Sequence, residues 1–290
     1  MTNIEKELKK LGVTYDGYSV LQNKDGITVA RISDGEKSYI LKHFEKEEHR
    51  REIKNYSILM SLNIPTADVL AANKSSLLLR DIAESDTFRL GTKEDMSDVN
   101  VARGIARWYK KLHQCGYKYV AGCKEALFDE ADYFTEENID FIKRKTNTQN
   151  AVAWALLKQN FFAIDAVLSK AKRTLTYNDF YYTNMAVAKD GSAALMFDYN
   201  LLGKGYAYAD IRNVLSSLSD EAQLAFLDEY GAFDPTQKIL DDVVSPVVTL
   251  GIRESNRHAL KALFSASSGV FLLAIRTVLT RRRNTRLFEN

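Results

Sequence analysis

Short alternations of apolar and polar residues fill the first eighty positions, and the longer period of amphipathic helices takes over beyond them. Ile4, Leu8 and Leu11 recur at helical spacing and predict a short helix over residues 3–11. Strand-like runs follow at Tyr18–Leu21, Ile27–Ile32 and Ser38–Phe44. The turn signals between them, Asn23-Lys24-Asp25-Gly26 and Ser33-Asp34-Gly35, predict a three-stranded antiparallel meander. A charged helix is expected from about Glu45 to Leu62, closed by Asn63-Ile64-Pro65. Two further strands, Asp68–Ala72 and Ser76–Arg80, complete a five-stranded set with one helix inserted after the third.

Beyond Asp81, Thr92-Lys-Glu-Asp95 has the form of a capping box. Val101, Ile105, Trp108, Tyr109 and Leu112 then trace one buried helical stripe, with Gly116 as the expected stop. Helices are predicted around 125–144, the first of these being strongly acidic, and around 150–172. A β-hairpin is centred on Asp190-Gly191, flanked by Met185–Ala188 and Ala193–Phe197, and helices near 209–218, 219–231, 236–250 and 254–282 close the chain. The layout is α+β: a small antiparallel β-sheet lobe over residues 1–82 and a larger, mostly helical lobe over residues 83–290.

Composition narrows the partners. Forty basic against thirty-eight acidic residues leave a net charge of +2, which names no polyanion, so no nucleic-acid partner is expected. The basic run Arg281–Arg286 reads as a solvated helix end. The N-terminal decapeptide lacks an apolar signal core, and the run Ala262–Ile275 is too short to span a bilayer. With Cys115 and Cys123 fitting no disulfide or metal framework, a cytoplasmic protein without a membrane partner is the expectation.

The residues that carry chemistry lie at two places. Asp179 is followed, after four intervening residues, by Asn184, the spacing of a phosphoryl-transfer loop, in which the carboxylate takes the proton of an attacking hydroxyl and the amide oxygen binds Mg²⁺. Folding the hairpin about Asp190-Gly191 sets Asn184 nearly opposite Asp198, close enough to share one cation. One Asp-x4-Asn pair arises easily by chance; its placement against a matched aspartate gives it weight. Far upstream, Lys42 interrupts the apolar strand Tyr39-Ile-Leu-Lys-His-Phe, an expensive position unless the charge is paired. Glu52, on the following helix, is the expected partner, with Glu45, Glu47 and Glu48 as competitors.

Together these residues resemble the aminoglycoside phosphotransferase and choline kinase-like family, a branch of the protein-kinase-like fold, over residues 18–218 or so. Gly203, Gly205 and Asp210 also hold the places that family fills after its metal aspartate. The resemblance implies a two-lobed fold and ATP with Mg²⁺. It implies Lys42 on the α/β-phosphates, Glu52 holding Lys42, Asp179 as catalytic base, and Asn184 and Asp198 as metal ligands. Adenine is expected against Leu79, Arg80, Asp81 and Ile82. Asp210 is expected to support the start of its helix and the catalytic loop.

Two departures stand out. Tyr177 occupies the place of the family's loop histidine, and the Leu21–Gly26 loop has one glycine where a glycine-rich flap would have several. The implied acceptor is a small molecule bearing a hydroxyl and an amine, met by the acidic stretch Glu125–Asp140 or by Tyr181, Tyr182, Tyr206 and Tyr208, although a solvated helix face and packed tyrosines are the simpler readings. The rival from another class is a catalytically silent nucleotide-binding scaffold on the same fold. A protein kinase is disfavoured, because no Ala-Pro-Glu and no long activation segment follow Asp198.

Overall fold

The computed structural model describes residues 2–35 and 37–252; the helix expected over 254–282, the apolar run Ala262–Ile275 and the basic run after Arg281 lie outside the described residues. The chain divides into two compact units, one of residues 1–115, 177–202 and 213–231, the other of residues 116–176, 203–212 and 232 onward.

The first unit is built on β1 (Gly17–Lys24), β2 (Ile27–Ser33), β3 (Ser38–Phe44), β4 (Val69–Ala72) and β5 (Ser76–Arg80). They form one antiparallel sheet in the order β1-β2-β3-β5-β4. Strand alternation divides its faces. Ala30, Ile32, Leu41 and Leu78 are buried under α1 (Asn3–Leu11), which contributes Ile4 and Leu8. Burying each of those two side chains stabilises the docked helix by about 1.5–3 kcal/mol. The complementary set, Val29, Arg31, Ile40, Lys42 and Leu79, lines a cavity on the other face.

A single polar residue fixes how α1 docks. Glu7 is 3% exposed and its carboxylate accepts from Lys10, Asn73 and the hydroxyls of Ser75 and Ser76, which ties the helix to the β4–β5 turn. Burial alone would raise its pKa, but these donors outweigh burial and lower it from 4.5 to about 2.

The inserted helix is shorter than the charge pattern predicts. A single 3₁₀ turn, Glu47–His49, precedes α2 (Arg51–Ser61). The reason is that sheet hydrogen bonds continue past β3: Phe44 N–H donates to Ser75 O and Glu45 N–H to Gly26 O, so the backbone there is spent before a helix can start. Residues 88–90, unmarked in the sequence pattern, form β6 (Phe88–Leu90), which pairs with the first strand of the Asp190-Gly191 hairpin. The expected Thr92–Asp95 contact forms but closes a 3₁₀ turn; Asp98 caps α3 (Val99–Gly122) through the N–H groups of Asn100 and Val101. The stripe of Val101, Ile105, Trp108, Tyr109 and Leu112 is buried. Also in this unit is α8 (Asp220–Tyr230).

Gly116 does not stop α3. A Cβ there would lie 2.5 Å from Leu175 N and from Thr174 Oγ1, so the glycine is what lets the helix lie against β8 (Thr174–Thr176). In the second unit β8 and β7 (Phe128–Asp129) flank β11 (Gly203–Gly205), where a Cβ on Gly203 would collide with the Phe128 carbonyl. The acidic stretch is not one helix: β7 and a 3₁₀ turn precede α4 (Glu136–Thr146). The 150–172 segment is α5 (Val152–Gln159) and α6 (Phe161–Leu168), broken at Asn160. Then come α7 (Ala207–Leu215), with Asp210 fully buried in its first turn, and α9 (Pro235–Ile252). Tyr206 and Arg212 both bind the buried Asp241.

Glu7→Gln should cost on the order of 1–3 kcal/mol at neutral pH, the stability carried by its lowered pKa. A group with a depressed folded pKa stabilises above its unfolded value and loses that contribution as pH falls. In equilibrium denaturation, the wild-type advantage over the variant should therefore hold at pH 7 and shrink from about pH 4.5 toward pH 2.

Candidate active site

The site is assembled from three pieces of the first unit: β3, the start of α2, and the loop-hairpin segment 177–202. The hairpin pairs β9 (Met185–Ala188) with β10 (Ala194–Met196), in register Val187 to Ala194 and Met185 to Met196. Gly191 takes a left-handed φ of 72° in the turn, as the Asp-Gly pair predicts. Continuing that register places Asn184 opposite Phe197, whose N–H donates to Asn184 O at 3.0 Å, with Asp198 one residue beyond.

Lys42 sits on the cavity face of β3, 7% exposed, and Glu52 in the first turn of α2 is fully buried. The ammonium donates to both Glu52 oxygens at 2.7 and 2.8 Å and to Asp198 Oδ1 at 3.2 Å. Burial works against the Lys42 charge, but the Glu52 and Asp198 carboxylates outweigh it and raise its pKa. Burial also pulls the Glu52 carboxyl up, to about 7, against the opposing pull of Lys42. With the ammonium bidentate on it, the ionised pair is the state this geometry supports. The competing acids do not reach Lys42: Glu48, for example, lies beside Lys46 and His49.

In the loop, Asn184 Nδ2 donates to Asp179 Oδ2 at 3.2 Å and to its carbonyl at 3.3 Å. With Nδ2 donating, the amide oxygen is the acceptor atom of the Asn184 side chain. Asp198 has a left-handed φ of 61°, a conformation short polar side chains tolerate, and Asn200 Nδ2 donates to its Oδ1 at 2.7 Å. Asn178, also left-handed at 65°, is held by its amide on Leu201 O.

Tyr177 is fully buried, and its hydroxyl donates to the carbonyl of Phe197, the residue before Asp198. Its ring lies 5.8 Å from that of Tyr199, and Tyr199 lies 4.7 Å from Tyr56 on α2, both edge-on. Trp108 packs on Tyr177 and Tyr199 at 5.7 and 6.5 Å. The Tyr199 hydroxyl donates to Met196 O, and Asn55 Nδ2 donates to Tyr199 O at 2.7 Å. This aromatic column joins the helix that carries Glu52 to the loop that carries Asp179. It was not read from the sequence, although Asn55 and Tyr56 follow Glu52 at i+3 and i+4, the spacing that shares a helix face.

Lys42, Asn184 and Asp198 line a cavity of about 350 Å³ whose apolar walls include Leu21, Val29, Ile40, Ala67, Leu79 and Ile82. Arg80 and Asp81 also border it, but their side chains are engaged in bracing. Arg80 Nε donates to Asp68 at 2.9 Å; the Asp81 carboxylate accepts from Arg31 at 2.6 Å, Ser38 Oγ at 2.7 Å and Ala83 N at 3.0 Å. Any role for these two toward a base therefore falls to their backbone. Among the described residues no three His, Cys, Asp or Glu side chains cluster as a metal centre. One carboxylate and one amide oxygen are the donor set that suits Mg²⁺ held jointly with phosphates.

The acceptor candidates separate. Tyr206 and Tyr208 are packed inside the second unit, whereas Tyr181 is 56% exposed on the loop that carries Asp179, with its ring 5.9 Å from that of Tyr182. In the acidic stretch Asp129 is buried against Arg173 and Lys204, and Asp140 pairs with Lys143 and Lys158, so these two carboxylates are already balanced.

Such a sheet, helix and loop arrangement is a protein-kinase-like fold, and the comparisons with known proteins agree. Residues 24–238 match the model of the phosphotransferase enzyme family, and the chain belongs to that family. It is thus a kinase-type phosphotransferase of the small-molecule branch. No curated protein sequence matches it significantly. Among solved structures it is similar to the ADP-bound aminoglycoside phosphotransferase APH(2'')-Ib, at 16% identity and TM-score 0.63, covering 96% of each chain. A choline/ethanolamine kinase family protein from Mesorhizobium loti matches at 14% identity and TM-score 0.63, covering 96% of this chain and 99% of the other. The choline kinase LicA from Streptococcus pneumoniae matches at 12% identity and TM-score 0.60, covering 96% of each. At these identities the likenesses establish the fold. Among the described residues no helix is long and apolar enough to cross a membrane.

Glu52→Ala leaves the Lys42 ammonium buried with only Asp198 beside it, and should cost about 3–5 kcal/mol in denaturant unfolding of the ligand-free protein. Tyr177→Phe removes one buried donor and should cost about 1 kcal/mol in the same measurement.

Proposed function

We propose that this chain transfers the γ-phosphate of ATP to a hydroxyl of a small, amine-bearing acceptor, a compound of the choline or aminoglycoside kind. The observation that carries the reading is the Lys42–Glu52 pair reaching Asp198, with Asn184 bonded to Asp179 on the adjoining loop. In this reading residues 1–82 act as the nucleotide-binding lobe and residues 83–290 as the catalytic and acceptor-binding lobe.

The apolar walls of the cavity receive the adenine, with the backbone of residues 79–82 along its edge. Lys42 sits where it contacts the α/β-phosphates, held there by Glu52. Asn184 and Asp198 are the side chains that would hold Mg²⁺, which when bound neutralises phosphate charge during transfer. Asp179 orients the acceptor hydroxyl and takes its proton as the oxygen bonds to phosphorus and the ADP oxygen leaves. Asn184 Nδ2 on Asp179 Oδ2 keeps that carboxylate turned toward the shared site. Family membership and the amine-handling relatives support the acceptor class; Tyr181 is the exposed aromatic beside the proposed base that suits a cation.

Asp179→Asn should keep MgATP affinity in calorimetry while turnover falls by roughly a hundredfold or more, the general-base contribution. Turnover near wild type would remove Asp179 as the base. Asp198→Ala should instead weaken ATP binding in a Mg²⁺-dependent manner, and an affinity that stays the same with and without the metal would take Asp198 out of the metal site.

A further inference from the structure

Strand β1 contains an irregularity that decides which side chains meet the cavity. Val20 pairs with Ala30 and Gln22 with Val29, so Leu21 is an extra residue bulged out of the ladder. Because side chains alternate strictly along a strand, one inserted residue reverses the parity of everything after it. Before the bulge, Tyr18 and Val20 stand opposite Ile32 and Ala30, on the face that α1 covers. After it, Gln22 stands opposite Val29, and Val29 opposite Lys42, so the three share one row on the cavity face. Lys24, opposite Ile27, follows on the same face. Without the bulge, Asn23 would hold that face and Gln22 and Lys24 would be turned away from it.

The row matters because the loop beyond it cannot supply backbone donors in the glycine-rich manner. Asp25 and Gly26 form a closed two-residue turn with φ of 57° and 83°, and Gly26 O accepts from Glu45 N. Gln22 borders the same cavity as Lys42 and Asp198. The Lys24 side chain is 74% exposed, with an Asp25 carboxylate oxygen at 3.9 Å.

Building on the nucleotide reading above, we propose that the Leu21 bulge replaces a glycine-rich flap: it turns the Gln22 amide, and Lys24 beyond it, onto the polyphosphate of the bound nucleotide. A side-chain amide then donates where backbone N–H groups otherwise would, from the opposite end of the strand row that carries Lys42.

Calorimetric titration of the full chain with MgATP and, separately, with adenosine tests this on wild type, Gln22→Leu and Gln22→Glu. Gln22→Leu should weaken MgATP about threefold to tenfold, the size of one partly exposed hydrogen bond, and leave adenosine unchanged. Gln22→Glu should weaken MgATP further, since a carboxylate repels phosphate. Equal losses for both ligands would make Gln22 a base or ribose contact, and unchanged MgATP affinity in both variants would remove it from the site; either result overturns the proposal. A wild-type chain that binds no MgATP overturns the nucleotide reading itself, and this inference with it.

Discussion

One buried positive charge organises the first unit. Lys42 stands in the middle of an apolar strand row, and water cannot solvate it there, so the fold must bring carboxylates to it. Glu52 arrives on α2 and Asp198 at the end of the hairpin, 156 residues further along the chain than Lys42. Meeting that requirement draws the sheet, the helix and the hairpin segment to one point. The same charge, partnered by Glu52 and Asp198, also lines the cavity, and in the proposed reading it meets the polyphosphate there.

The aromatic column supplies the rigidity that the charge cluster lacks. Tyr56, Tyr199 and Tyr177 pack edge to face between α2 and the Asp179 loop, and their neighbours Asn55 and Trp108 pack and bond against them. Tyr177 stands where relatives of this family are expected to carry histidine, yet the structure shows what it does there. Its hydroxyl donates to Phe197 O and so bonds the start of the Asp179 loop to the residue preceding Asp198.

Much of this was legible in the residues, for physical reasons that differ from place to place. The meander, the Asp190-Gly191 hairpin and the Lys42–Glu52 partnership follow from turn chemistry and the cost of an unpaired buried lysine, both local or strongly constrained signals. Three features escaped it. Gly116 looked like a helix stop but is a point of close approach to β8, a fact that only tertiary packing decides. The short strands β6 and β11 carry too few residues for any alternation to show. The acidic stretch gave no sign that Asp129 is already paired with Arg173 and Lys204, which lie far along the sequence; the Asp140–Lys143 pair is the local exception.

The account stands or falls on phosphate transfer itself. Purified protein incubated with Mg²⁺, γ-labelled ATP and a panel of amino-alcohols and aminoglycosides should place the label on a hydroxyl of one acceptor class, with phosphorus NMR showing a phosphate monoester. Nucleotide that binds with Mg²⁺ and yet transfers label to no acceptor would contradict it, and would make the chain a silent nucleotide-binding member of its family.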